Sequence, residues 1–254
     1  MQIQDEVAFS TESIFDIVKL AFYVACGYMA FGIVTRHAQT PKLLALARRR
    51  FAVLVLLILL VIGIKVFEDV IAKESAVVDA ALLWSIRENT PVAYLGFLKA
   101  VTFTGSGKFL APLTFGISIA FFLTRHRREA VILLVSMASA WSSTYALKAL
   151  VGRVRPELWS TEWYWGSSFP SGHTLSTAAF ATALALAAAH IWPRSSFVVL
   201  VLAATWIGLV GLSRLVLGVH WPTDVLGAIC LGIFIPLAIR LGLELFSHRS
   251  NESG

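Results

Sequence analysis

Seven stretches of the chain are candidates to cross a bilayer. A helix rising ~1.5 Å per residue needs about 20 apolar residues to span a hydrocarbon core of ~30 Å. Phe51–Ile71, Ala130–Val151, His173–Ile191, Phe197–Leu217 and Pro222–Phe246 meet that length directly. Phe109–Thr124 is shorter, but Ala111–Leu123 carries no charge and reads as a further span. Ile14–Val34 is interrupted by Asp16 and Lys19 in its first turn. An amphipathic surface helix is the alternative there, and the all-round apolar Leu20–Val34 favours a span. Between the second and third spans, Val77–Glu88 sets an apolar stripe (Val77, Val78, Ala81, Trp84) beside Asp79, Arg87 and Glu88. That pattern predicts an interfacial helix, which Thr90-Pro91 ends. Gly105-Ser106-Gly107-Lys108 lacks the GxxxxGK[ST] spacing of a phosphate loop and reads as a flexible turn into the next span. The fold class expected is all-α, a polytopic transmembrane helical bundle.

Composition supports this. The chain is 57% hydrophobic and 14% charged, with mean hydropathy +0.77, which excludes an ordinary soluble domain. The net charge of +6 does not point to nucleic acid, because the basic residues cluster between the spans. Arg36, Lys42, Arg48, Arg49 and Arg50 fill one loop and Arg125, Arg127 and Arg128 another, so both are expected on the cytoplasmic side. The mixed-charge 72–108 segment is then outside, as is an N-terminus carrying Asp5, Glu6 and Glu12 rather than the basic start of a signal peptide. Residues 247–254 form a short cytoplasmic tail, and the Asn251-Glu252-Ser253 sequon in it is read as chance. Cys26 and Cys230 sit in apolar runs and suggest no disulfide. The organisation expected is one domain: an N-terminal helix and basic loop over 1–50, a membrane core over 51–246, and the tail.

Three segments carry chemistry. They are Lys148 with Arg155-Pro156 seven residues on, Pro170-Ser171-Gly172-His173, and Arg214 followed by His220 and Asp224. Ionisable groups are costly in a bilayer, so their gathering calls for a function. In the topology above, Lys148 and Arg214 both end a helix running outward, roughly 25–27 Å from the inner edge at ~1.5 Å per residue. His173 opens the next helix from the outside, and His220 precedes the last. Four helix ends therefore bring these groups to one depth on one side. A helix continuing past Gly152 would put Lys148 and Arg155 on one face. Arg155 and Arg214 can fork onto phosphate oxygens, with Lys148 as a point charge. Ser171 suits an N-cap, Gly172 permits close backbone approach, and the free N–H groups of that helix start attract an anion. Asp224, one turn beyond His220, can hold one ring nitrogen and leave the other as nucleophile. His173 remains as the acid for the leaving oxygen. His37, His126, His190 and His248 have no carboxylate or cation pattern around them and read as polar surface. Trp159, Trp163, Tyr164 and Trp165 read as an interfacial aromatic belt.

In full, including Ser213 before Arg214, the three segments resemble the signature of the type 2 phosphatidic acid phosphatase family. The resemblance runs from about Ser75 to Phe246 and takes in Asp79, Arg87, Thr90-Pro91 and Thr104-Gly105-Ser106. That family also includes undecaprenyl diphosphate phosphatases, and its fold is similar to that of vanadium haloperoxidases. The resemblance implies a six-helix core, with Ile14–Val34 as one extra N-terminal helix. It further implies a metal-independent, cofactor-free lipid phosphatase with a phosphohistidine intermediate. His220 would attack phosphorus, Asp224 would orient it, and His173 would protonate the departing oxygen. Lys148, Arg155, Arg214, Ser171 and Gly172 would hold the phosphoryl oxygens. No acidic cluster suited to Mg²⁺ is evident in the sequence, in keeping with that. The expected partners are the bilayer and a lipid phosphate, with undecaprenyl diphosphate favoured over phosphatidylglycerophosphate and phosphatidic acid. The expected location is a bacterial inner membrane with the site on its outer face. The rival readings are a lipid-to-lipid phosphotransferase of the same family and a transporter. A transporter predicts polar groups spread through the depth of several helices, whereas the cytoplasmic halves here are nearly all apolar.

Overall fold

A computed structural model of the chain describes residues 2–36, 40–159 and 166–250. Among the described residues there are ten α-helices and no strand. They fall into two compact units, residues 1–62 with 241–254, and residues 63–240.

In the first unit, α1 (Gln2–Arg36) and α2 (Pro41–Arg48) precede the start of α3 (Arg50–Ala72). Pro41 opens α2, where its missing N–H costs no helical bond. Asp16 and Lys19 pair at 3.5 Å across one turn of α1, which lowers the cost of both charges in an otherwise apolar helix. Asp16–Arg36 is long and apolar enough to span. Arg49 closes an ion pair with Glu244 at 2.9 Å.

The second unit contains α4 (Ala76–Glu88), α5 (Leu95–Thr104), α6 (Gly107–Leu123), α7 (Arg127–Val151), α8 (Gly172–Ile191), α9 (Ser196–Val216) and most of α10 (Pro222–Ser250). The central helix is α8. It is rich in alanine and small hydroxyl residues and buried on nearly every face, as a helix with no polar side must be. Small side chains let neighbours approach closely where lipid gives no hydrophobic drive to helix association. Ala178 and Ala181 of α8 meet Ala203 and Ile207 of α9 in one cluster, and Phe180 stands edge-on to Trp206. Helices α3, α7, α8, α9 and α10 each carry a segment fit to span. The chain is a multi-pass, all-α membrane protein.

Two local expectations change. The short stretch at 109–124 is completed by α5, which joins α6 through a 45° bend. The turn between them is tightly packed rather than flexible. A Cβ on Gly105 would lie 2.8 Å from both Thr177 Oγ1 and Val210 Cγ1, so the bend seats directly on α8 and α9. Helix α4 turns part of its polar side inward. Asp79 and Leu83, one turn apart, are buried, whereas Val77 is 79% exposed. An apolar stripe at a membrane surface can face lipid, leaving the polar side to bind the protein.

Candidate active site

Four elements of the second unit deliver the chemistry. Helix α7 ends at Val151 because Gly152 takes the left-handed conformation (φ 60°) and its N–H closes onto the Lys148 carbonyl. The helix therefore does not continue to align Lys148 with Arg155. Arg155 instead returns along the non-helical segment that follows. The two cations still meet, since Lys148 Nζ and Arg155 Nη2 both donate to the Ser167 carbonyl. Arg155 also donates to the carbonyls of Gly166 (3.1 Å) and Val219 (2.7 Å), and its Nη1 lies 3.4 Å from His220 Nε2.

Gly172 opens α8 against Thr144 of α7. Ser171 occupies the N-cap position, but its hydroxyl meets Thr174 Oγ1 at 3.0 Å rather than a helix N–H. The Ser171 N–H reaches the Asp224 carbonyl at 3.2 Å, which ties the start of α8 to the start of α10. Arg214, in the last turn of α9, is almost wholly buried, and its Nη1 donates to Thr102 Oγ1 of α5 at 2.7 Å. Arg214 and Arg155 act electrostatically on both His173 and His220, and Lys148 acts on His173. The structure thus gathers all eight residues expected at the site.

His220 sits between α9 and α10 with Nδ1 3.5 Å from Asp224 Oδ2, leaving Nε2 toward Arg155. Burial, reinforced by Arg214 and Arg155 and opposed by Asp224, pushes the ring from its ordinary range down to about 3. A neutral imidazole with one nitrogen facing a carboxylate has its other lone pair available for bonding. A cavity of about 740 Å³ adjoins the cluster. Its lining combines Lys148, His173, Gly172 and Ser167 with Ala111, Trp141 and Tyr145. His220 is not among its walls; Arg155, bonded to Ser167, links the ring to that wall.

Sequence reasoning missed Arg153. Its Nη1 donates to Asp224 Oδ1 (2.7 Å) and Thr223 Oγ1 (2.8 Å), and its Nη2 to Asp79 Oδ2 (2.6 Å) and Ser75 Oγ (3.3 Å). A carboxylate on a helix near the membrane surface gave no hint that it was buried against the site. The aromatic belt also needs revising at Trp159, which packs edge-on to Trp84 (5.5 Å), under Arg87 (5.4 Å) and against Gly218. Trp163, Tyr164 and Trp165 lie outside the described residues. Of the histidines read as plain surface, His190 instead bonds through Nδ1 to Glu129, a pairing between the two ends of α7 and α8 that sequence distance conceals. His37 lies outside the described residues, as do Asn251-Glu252-Ser253 and the side chain of His248.

Residues 129–244 match the PAP2 superfamily. Phosphatidylglycerophosphatase B of Bacillus subtilis is 30% identical over 146 residues, covering 56% of this chain and 72% of that protein. A putative undecaprenyl-diphosphatase of Escherichia coli is 36% identical over 83 residues, covering 32% of this chain and 38% of the relative. Among solved structures, a transmembrane PAP2-type phosphatidylglycerolphosphate phosphatase from Bacillus subtilis superposes with TM-score 0.64. It shares 26% identity, and the match covers 74% of this chain and 94% of the other.

Proposed function

This chain belongs to the PAP2 superfamily, and from that premise we propose that it is a lipid phosphate phosphatase working through a phosphohistidine. The single observation that carries the reading is the meeting of His220 Nε2 with the Arg155 guanidinium at 3.4 Å, beside a cavity that Lys148 and His173 line. In the first step Nε2 forms a bond to phosphorus and the bond from phosphorus to the lipid oxygen breaks. His173 gives its proton to that oxygen. In the second step water attacks the phosphoryl group, His173 takes a proton from it, and the histidine–phosphorus bond breaks to release phosphate. Lys148, Arg155, Arg214 and the N–H group at Gly172 are fixed positive groups for the charge developing on the phosphoryl oxygens. Preorganised charge of this kind requires no metal.

The site lies at the end of α7 opposite Arg125, Arg127 and Arg128, whose charge favours the cytoplasm. The pocket therefore opens outward from a bacterial inner membrane. The apolar residues in the cavity lining, Ala111, Trp141 and Tyr145 among them, suit the first carbons of a lipid chain. An outward site fits recycling of undecaprenyl diphosphate, and the relative with the broader match bears the name of a phosphatidylglycerophosphatase. Both lipids present a terminal phosphoryl group to the same cradle.

Purified protein in detergent is expected to release inorganic phosphate from both lipids with chelator present, and the ratio of their kcat/KM values ranks them. Release from neither would reject the reading. Transfer of the label to an added acceptor lipid instead of water would favour the phosphotransferase. A second expected result separates the two histidines. His173→Ala should slow turnover of an alkyl phosphate by about 10²–10⁴-fold. It should affect far less the phosphoenzyme burst from an aryl phosphate, whose leaving oxygen needs no proton. An equal loss with both would assign His173 another role.

A further inference from the structure

We propose that Arg153 is a positioning residue that, with Asp79 behind it, holds the Asp224 carboxylate against the ring of His220. The inference rests on His220 being the nucleophile. Arg153 splits its fork between two buried carboxylates, Asp224 through Nη1 (2.7 Å) and Asp79 through Nη2 (2.6 Å). Both carboxylates are at most 1% exposed, and a buried carboxylate persists as an anion only when paired and hydrogen-bonded. Thr223 locks the same knot. Its hydroxyl accepts from Arg153 (2.8 Å) and donates to Asp79 Oδ2 (2.6 Å), and its N–H donates to Asp79 Oδ1 (2.9 Å).

Asp79 thus does for α10, from another helix, what an N-cap side chain does from within, and its charge faces the positive end of that helix. The first turn of α10 carries Asp224, so its position is set by α4 and by the segment after α7. Within Asp224 the two oxygens divide the work. Oδ1 takes Arg153, while Oδ2 takes the Trp221 N–H (2.9 Å) and faces His220 Nδ1 (3.5 Å). With Oδ1 fixed, the carboxylate cannot turn away from the ring. Trp221, its indole N–H on the Val154 carbonyl, stacks against the guanidinium at 5.6 Å and closes the other side. Arg155, two residues on, is the cation that reaches Nε2. The alternating pair thus divides two jobs, Arg153 for the carboxylate and Arg155 for the phosphoryl group.

The test compares wild type, R153Q, R153K, D79N, D224A, R153Q/D224A and H220A, purified in detergent, on a short-chain soluble lipid phosphate. R153Q is expected to lower kcat about 100-fold, while KM and the inhibition constant of inorganic phosphate stay within about threefold. R153K should recover part of the loss, since one ammonium can hold one carboxylate. On the D224A background R153Q should cost no more than about threefold, because a residue acting through Asp224 has nothing left to position. A kcat for R153Q within about twofold of wild type overturns the proposal. So does a rise of KM and the phosphate constant that matches the fall in kcat, or a full additional loss on D224A. If R153Q does not fold, D79N decides, with an expected kcat loss of about tenfold at unchanged KM; an unchanged kcat there overturns the proposal as well. H220A separates this inference from its premise. Turnover by H220A would remove the nucleophile itself, whereas an inactive H220A beside a normal R153Q would sink the positioning role alone.

Discussion

His220→Ala protein is expected to hydrolyse no lipid phosphate, with kcat reduced at least about 10⁵-fold. Removing the nucleophile of a covalent mechanism leaves only what binding and the charged cradle supply over water. Among the described residues no other group is placed to take over. His173 opens α8 and lines the cavity, and Ser171 is buried with its hydroxyl engaged by Thr174. Alanine leaves Lys148, Arg155, Arg214 and the start of α8 in position, so substrate should still bind. A labelled phosphoryl group should enter wild-type protein as an acid-labile, alkali-stable adduct and be absent from the variant. More than about 1% of wild-type turnover would reject the assignment. The same residue sets an expectation for pH. A ring held near 3 stays neutral through the neutral and mildly acidic range, so the acid limb of the kcat profile should not lie at the ordinary histidine value of 6.5. The sign for stability follows. The unfolded chain takes a proton at 6.5 that the folded ring refuses, so stability is full above 6.5 and is lost as pH falls toward 3.

What the sequence revealed and what it hid divide along physical lines. The spans were legible because a bilayer imposes length and hydropathy on each helix separately, so Phe51–Ile71 and Phe197–Leu217 announce themselves without knowledge of any neighbour. The gathering of Lys148, His173, Arg214 and His220 was legible because helix rise converts residue number into depth. Rotation about a helix axis is not encoded in that way. The pattern along α4 does not say that Asp79 is buried against the protein while Val77 is exposed. Hydrophobicity identifies the inside of a soluble protein but not that of a membrane protein, where lipid is as apolar as the core. Non-helical backbone was equally opaque. Nothing local to Arg153 separates it from Arg155, and the difference arises only in the folded, non-helical chain after Gly152, which takes the two guanidinium groups to different partners. Gly105 illustrates a third gap. Its glycine neighbours suggested slack, whereas its lack of a side chain lets a helix bend sit on Thr177 and Val210.

Asp224→Asn should lower kcat about 10³–10⁴-fold with little change in KM, even though it alters neither volume nor shape. The carboxylate is engaged from three directions: Arg153 Nη1 donates to Oδ1, the Trp221 N–H donates to Oδ2, and His220 Nδ1 faces Oδ2 at 3.5 Å. An amide has one accepting oxygen and one donating nitrogen. If the oxygen stays with Arg153, the amide N–H groups point at the Trp221 N–H and at Nδ1. The ring then favours the tautomer with its proton on Nε2, where the lone pair is needed to reach phosphorus. If the amide turns over, its N–H groups face the guanidinium, and Arg153 keeps only Asp79 and the hydroxyls of Thr223 and Ser75. Either orientation places donor against donor in a buried site, where an unmet polar group costs about 1–3 kcal/mol. The wrong-tautomer penalty seen when an orienting aspartate is neutralised in a serine protease is about 10⁴ in kcat, which sets the scale here. Loss of the carboxylate also removes the anion that stabilises a phosphorylated, positively charged imidazole, so formation of the adduct should slow more than substrate binding weakens. Rapid-quench measurement of the labelled phosphoenzyme would separate the two. A burst rate equal to wild type would mean that Asp224 holds the fold rather than aims the ring.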